Sequence, residues 1–194
     1  MKSISDLCKF SRNNLNSDPA TKKREYKGAV LYKDGAILEG HYAAGVLQGE
    51  VRKINANLDY TQAQFVGGKL NGKGKHVKAD GGLYEGDFVD NIMEGHGYQK
   101  TASGDEYTGP FVKGKPNGKG VKTKLGKILF EGNFVDGYLT GPGTMKEKDS
   151  LRSFVGPFVK GKEHGHGIAV SKNGDKFEGE FVNGQKQGAG VLIS

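Results

Sequence analysis

The sequence predicts an all-β fold, a single-layer, twisted antiparallel sheet of stacked 23-residue β-hairpins. Three observations point there. Of 194 residues, 33 are glycine and 5 are proline, against an ordinary glycine share of about 7%, and the glycines lack the three-residue period of collagen. The 8 tyrosines and 10 phenylalanines run evenly along the chain, which argues against disorder despite a mean hydropathy of −0.60. Above all, the chain repeats itself at a nearly constant step.

Copies of the repeat open at Leu38, Thr61, Tyr84, Tyr107, Phe130, Phe154 and Phe177, with steps of 23, 23, 23, 23, 24 and 23 residues. Four positions on, every copy has an aromatic: Tyr42, Phe65, Phe88, Phe111, Phe134, Phe158 and Phe181. Seven positions on stands Gly45, Gly68, Asn91, Gly114, Gly137, Gly161 or Gly184. Eleven positions on, every copy has glycine: Gly49, Gly72, Gly95, Gly118, Gly141, Gly165 and Gly188. Two further on glycine returns, except at Val51.

Each column has a physical reading. In Tyr84-Glu85-Gly86-Asp87-Phe88 the two rings and the glycine alternate, so they share one strand face. Two rings then flank a bare patch of backbone on which a neighbouring ring can lie. The next column is glycine save for Asn91, the side chain that best tolerates left-handed backbone angles. That exchange predicts a turn of positive φ joining the first strand to a second, glycine-rich one. Between copies, Asp34-Gly35, Asp80-Gly81, Ser103-Gly104 and Asn173-Gly174 predict tight hairpin turns. A lone hairpin cannot bury its aromatic face, whereas a stack can.

One stretch imitates a nucleotide site. Gly109, Gly114 and Lys115 follow the spacing of a phosphate-binding loop, but Pro116 stands where serine or threonine should. The same near-match recurs at Gly156, Gly161 and Lys162, followed by Glu163. These glycines fall in the repeat's columns, and no helix pattern follows to supply an anion-binding N-terminus. They serve the backbone.

The pattern Y-x-G-x-F-x-x-G-x-x-x-G-x-G resembles the MORN repeat (membrane occupation and recognition nexus). The resemblance covers residues 38–194 and the trailing half of an earlier copy at residues 26–37. Departures lie at the front, where Leu38 and Thr61 replace the opening aromatic and Ala63 and Val51 each replace a glycine. The resemblance implies a non-enzymatic scaffold or adaptor that binds protein partners along an elongated surface, in a cytoskeletal or ciliary assembly. Two alternatives accompany it: a peripheral protein on anionic phospholipids such as phosphoinositides, and an accessory structural subunit of a larger complex.

The repeats divide the chain into an N-terminal segment, residues 1–24, and an array, residues 25–194. In the segment, Ile4, Leu7, Cys8 and Leu15 have helical spacing, Ser3 and Asp6 stand at capping-box spacing, and Pro19 ends the run. The expectation is a short amphipathic helix over the first hairpin or a disordered tail, with partner binding as the other use of such a helix. At the other end, Val191, Leu192 and Ile193 follow the last Gly-x-Gly. An uncharged apolar strand edge invites another chain, so self-association into a homo-oligomer is expected there.

Charge narrows the partners. The net charge of +7 comes from 29 basic and 22 acidic residues, interleaved rather than gathered on one basic face, so nucleic acid is not expected. The seventh position of successive copies reads Asp90, Lys113, Asp136, Lys160, Asn183. With Lys115, Lys119 and Lys162, these lysines are the candidate partner-binding residues, for a helical or extended protein segment or an anionic membrane surface. The alternating signs also let lysines lean toward flanking aspartates.

His164 and His166 are two apart, as strand ligands of a metal would be. Their columns elsewhere hold Asn117 and Lys119, or Thr140 and Pro142, so variable surface positions account for them and no metal is expected. No nucleophile–base constellation is evident, and neither enzymatic activity nor a cofactor is expected. A single cysteine, Cys8, fits a reducing compartment, and the resemblance to the MORN repeat implies an intracellular place in the cytoplasm, cytoskeleton or cilium. Lys2, Lys9, Arg12 and nearby serines leave mitochondrial import open. No run approaches the 18 apolar residues that a membrane-spanning helix needs.

Overall fold

The computed structural model describes residues 16–17 and 24–193. Among these the elements are eighteen β-strands, and no helix is present. The chain divides into two compact units, one ending at Ile92 and one starting at Met93. The helix or tail expected over residues 1–24 lies outside the described residues, apart from Asn16–Ser17 and Arg24.

In the first unit, β1 (Asn16–Ser17) pairs with β2 (Arg24–Leu31), placing Asn16 opposite Glu25. There follow β3 (Ile37–Ala43), β4 (Val46–Ile54), β5 (Tyr60–Val66), β6 (Lys69–Val77) and β7 (Leu83–Val89), each antiparallel to the strand before it. The second unit continues with β8 (Ile92–Lys100), which starts at the last residue of the first. Its further strands are β9 (Glu106–Val112), β10 (Lys115–Pro116), β11 (Gly118–Lys124), β12 (Ile128–Val135), β13 (Tyr138–Glu147), β14 (Ser153–Val159), β15 (Lys162–Glu163), β16 (Gly165–Val170), β17 (Lys176–Val182) and β18 (Gln185–Ile193). All observed pairs are antiparallel. The predicted stack of hairpins is therefore the fold.

Alternation works as expected. In β9, Tyr107, Gly109 and Phe111 are buried, whereas Thr108 and Val112 face water. The hairpin turn contains two left-handed residues rather than one: Lys113 (φ 50°) and Gly114 (φ 79°). Asn91 has φ 72°, as its place in the glycine column predicts, and Asp90 before it has φ 48°. Two central residues of positive φ make a type I′ turn, whose twist matches that of the strands. Between β2 and β3 the connection is a three-residue loop, with Gly35 N–H donating to the Tyr32 carbonyl at 3.0 Å and Tyr32 N–H to the Ala36 carbonyl at 2.8 Å. Between β13 and β14, where Glu147 N–H donates to the Arg152 carbonyl at 2.9 Å, it has four residues.

The glycine eleven positions on is the site of a β-bulge. Along β3 and β4, Glu39 faces Arg52 but His41 faces Gln48, so residues 49–51 stand opposite Gly40 alone. The register shifts by the same two residues between β12 and β13 and between β17 and β18. Gly49, Gly141 and Gly188, with φ of 71°, 78° and 66°, supply the left-handed residue such a bulge requires.

The core of the second unit is a chain of rings, arranged differently from the expectation of a neighbouring ring on a bare patch. Three of the four opening rings fold back over their own glycine and the glycine across the hairpin, whereas Leu139 rather than Phe130 covers Gly132 and Gly143. A methyl added at Gly109 or at Gly120 would come 2.5 Å from the Tyr107 oxygen. Phe154 covers Gly156 and Gly167, and Phe177 covers Gly179 and Gly190 in the same way. The neighbouring ring meets this one edge-on: Tyr107 and Phe134 are 5.0 Å apart at 74°, Phe154 and Phe181 4.9 Å apart at 73°, the favoured T-shaped geometry. Within a hairpin, Phe154 and Phe158 repeat the contact at 5.2 Å.

Adjacent hairpins are also joined at their turns. The second left-handed residue donates its amide to a carbonyl of the preceding copy: Gly114 to Met93 at 2.9 Å, and Gly137 to Pro116, Gly161 to Leu139 and Gly184 to Glu163, each at 2.8 Å. In the first unit, Gly68 donates to Leu47 at 3.1 Å.

Candidate functional site

These turns position the most conspicuous surface of the second unit. Lys113, Asp136, Lys160 and Asn183 are the first left-handed residues of successive turns, with φ of 50°, 50°, 49° and 52°. Left-handed angles suit asparagine and cost other side chains about 1–3 kcal/mol. The turn itself therefore does not call for lysine, and its presence at Lys113 and Lys160 needs another reason. Two strands at about 4.8 Å each set consecutive turns about 10 Å apart, and the turn-to-turn hydrogen bonds hold that interval.

Beside the turns runs a row of valines that sequence reasoning missed. Val112, Val135, Val159 and Val182 are 42%, 43%, 44% and 37% exposed. Each directly follows a buried ring and so lies on the opposite face, a signal legible in the repeated Phe-Val pair. Across the hairpin from these valines stand Lys115, Tyr138, Lys162 and Gln185. Tyr138 is 57% exposed. Apolar and cationic side chains thus alternate along one strip.

The expected leaning of lysine toward aspartate occurs, through Lys115: its Nζ lies 3.4 Å from an Asp136 oxygen. That pair is solvent-exposed and worth at most about 1 kcal/mol. Among the described residues, no carboxylate is within ion-pairing distance of Lys113, Lys119, Lys160 or Lys162. Lys113 and Lys115 share one turn, and Lys160 and Lys162 another. Lys119 stands apart in β11, opposite Asn133.

The histidines do not come together. His164 falls between β15 and β16 and is half-buried, whereas His166 is exposed opposite Glu180. Gly165 (φ 66°) between them breaks the alternation that would have aligned them. No group of three metal-ligating side chains gathers among the described residues. Beside His164, burial raises the Glu163 carboxyl above its ordinary pKa, with the Arg152 charge pulling the other way. Burial also pushes the Tyr107 phenol up to about 12. Its hydroxyl donates to the Pro110 carbonyl at 3.2 Å.

All nine residues of β18 are exposed, Val191, Leu192 and Ile193 by 61%, 66% and 49%. The Lys186 ammonium lies 4.4 Å from the centre of the Phe177 ring, a cation–π contact.

The first unit carries a groove of about 520 Å³, lined among others by Tyr42, Phe65, Leu70, Leu38, Thr61 and Lys53. It opens beside a small core of Leu38, Leu47, Val51, Ala63 and Phe65. Thr61 is buried, and its hydroxyl lies 2.9 Å from His76 Nδ1. Lys53 sits directly across from Thr61 on the paired strand.

A fold of stacked hairpins with ring-covered glycines and a patterned, ridge-like surface defines a repeat protein. The MORN repeat family model matches residues 62–83, 84–106, 107–124, 130–146, 154–176 and 177–194, and the chain belongs to this family. The copy at Leu38 lies outside these spans yet folds as the same bulged hairpin. No curated protein matches the chain. Among solved structures, it is similar to the SAS-4 (dCPAP) TCP domain of Drosophila melanogaster, in complex with a proline-rich motif of Ana2 (dSTIL). The two are 14% identical with a TM-score of 0.43, over 94% of this chain and 96% of that one.

Proposed function

We propose that this chain is a binding scaffold whose second unit holds a protein partner along the strip of valines and lysines. The exposed row Val112, Val135, Val159 and Val182 carries this reading, because it sets apolar contacts at a regular interval beside Lys113, Lys160 and Lys162, which no carboxylate of the described residues pairs. A helix with an apolar residue every seventh position repeats at about 10.5 Å, close to the interval of the hairpins. Acidic residues flanking that stripe would meet Lys113 and Lys160. The cellular setting we propose, following the family, is a cytoskeletal or ciliary assembly, where such an array joins components without transforming them.

The test is native co-purification with quantitative mass spectrometry, comparing the wild-type chain with Val135→Asp/Val159→Asp and with Lys113→Glu/Lys160→Glu. Partners that bind by the strip are depleted from both variants while the circular-dichroism melting curve stays unchanged. Partners retained equally by all three chains would refute the reading.

The unpaired lysines also favour a second reading, docking on an anionic lipid surface. Each would add about 1 kcal/mol near such a leaflet. Asp136 and Glu163 dilute their field. Sedimentation with phosphatidylserine vesicles that persists at about 0.15 M salt and is lost in Lys113→Glu/Lys160→Glu would favour lipid over protein.

A further inference from the structure

We infer that the groove of the first unit is a socket for an aromatic side chain of a partner protein, presented beside a carboxylate. It is a second site, independent of the strip in the second unit. The argument starts from what the first two repeats lack. In the second unit an opening ring covers two glycines and offers its edge to the next ring, as Tyr107 does to Phe134 at 5.0 Å. In the first unit the opening position is a ring at Tyr84 but not at the two earlier copies, which have Leu38 and Thr61.

The bare backbone there is covered by other means. A methyl at Gly40 would stand 2.9 Å from a Val51 methyl and 3.0 Å from Leu47. At Gly74 it would stand 2.5 Å from the Ala63 methyl and 3.0 Å from the Phe88 ring. The exceptional residues Val51 and Ala63 therefore seal the sheet surface, but they do not replace the volume of the missing rings. What remains is the 520 Å³ groove, with Leu38 and Thr61 in its lining beside the rings of Tyr42 and Phe65. Its size falls within the range of about 300–1,000 Å³ usual for ligand sites.

Lys53 decides the occupant. It is half-buried, lines the groove, and has no described carboxylate within ion-pairing distance. It is the one charged side chain among the described residues of the lining, and an acidic neighbour on the incoming segment would complement it. An aromatic ring entering between Leu38 and Phe65 would restore the edge-to-face contact that the other repeats make within the chain. The chemistry recognised is thus an aromatic residue flanked by aspartate or glutamate.

The experiment uses the full-length chain and a capped peptide carrying one phenylalanine between two aspartates, followed by ¹⁵N and methyl NMR titration. The expected result is saturable shifts at Tyr42, Phe65 and Leu70, without shifts at the valine row of the second unit. Lys53→Glu should weaken the peptide about tenfold, the loss of one favourable charge contact. Leu38→Phe, which fills the socket from within, should abolish binding. Because Lys53 lies on the surface of the groove, its variant keeps the test valid where Leu38→Phe fails to fold. Equal binding of a peptide with alanine for the phenylalanine, or no shifts at all, would overturn the inference. So would binding seen only when Ile4, Leu7 and Phe10 are changed together to serine, which would assign the groove to the chain's own first residues. Neither result would bear on the strip of valines.

Discussion

Asn91 and Leu70 exchange two hydrogen bonds across neighbouring turns. The Asn91 amide donates to the Leu70 carbonyl at 3.0 Å, and the Leu70 amide donates to Asn91 Oδ1 at 2.9 Å. Glycine in the same column can make only the first. Asparagine therefore combines tolerance of a left-handed backbone with a side-chain bond to the preceding repeat. Asn91→Ala is expected to lose about 2–3 kcal/mol, one hydrogen bond plus the left-handed penalty. Asn91→Gly, which keeps the backbone angles, is expected to lose about 1 kcal/mol. Urea unfolding midpoints of the three chains test this order. Equal loss in both variants would show that the angle contributes nothing.

A methyl group has no room under Phe154. Added at Gly167, it would lie 2.5 Å from the ring's Cζ and 3.1 Å from the Val155 carbonyl, and the ring is fully buried. Gly167→Ala should therefore cost about 2–3 kcal/mol through overpacking. Adding Phe154→Leu should recover part of that loss, so the double variant is less destabilised than the sum of its parts. Additive losses in a thermal-unfolding cycle would separate the two residues.

Glu163 gives a pH signature of defined sign. Burial raises its folded carboxyl pKa above the ordinary value of 4.5, so the folded chain holds that proton more tightly than the unfolded one. Its contribution is then fully present below the unfolded pKa and is lost as pH rises through the folded one. Glu163→Gln, which never ionises, should match wild type in acid and exceed it in melting temperature at neutral pH. The difference should be small, because the side chain is only half-buried. A Gln variant less stable than wild type at neutral pH would reverse the assignment.

Much of this was legible in the residues. The two strand faces follow from alternation, and positive φ at Asn91 follows from its substitution in a glycine column. Lys113 and Asp136 hid the other half of the turn, since neither side chain advertises left-handed angles. The bulge at Gly141 hid for the opposite reason: Gly-x-Gly reads as a plain strand, and only the register of Gly132 and Phe134 reveals the two extra residues. The departures at Leu38 and Thr61 were visible, but the groove they leave depends on Val51 and Leu47 covering Gly40, a matter of packing rather than pattern. Lys115 rather than Lys113 reaches Asp136 because it follows the turn, on the strand leading to the next copy.

In the second unit, the amides of Gly114, Gly137, Gly161 and Gly184 reach the preceding copy through main-chain carbonyls alone. The residue just before each of these, lysine, aspartate or asparagine, can be exchanged without unfastening the hairpins or disturbing the rings beneath. On the proposed reading, recognition and architecture would thus be written in separate alphabets. A lineage could readdress such a chain to a new binding companion by rewriting a handful of letters on the rim, leaving the spine that displays them untouched.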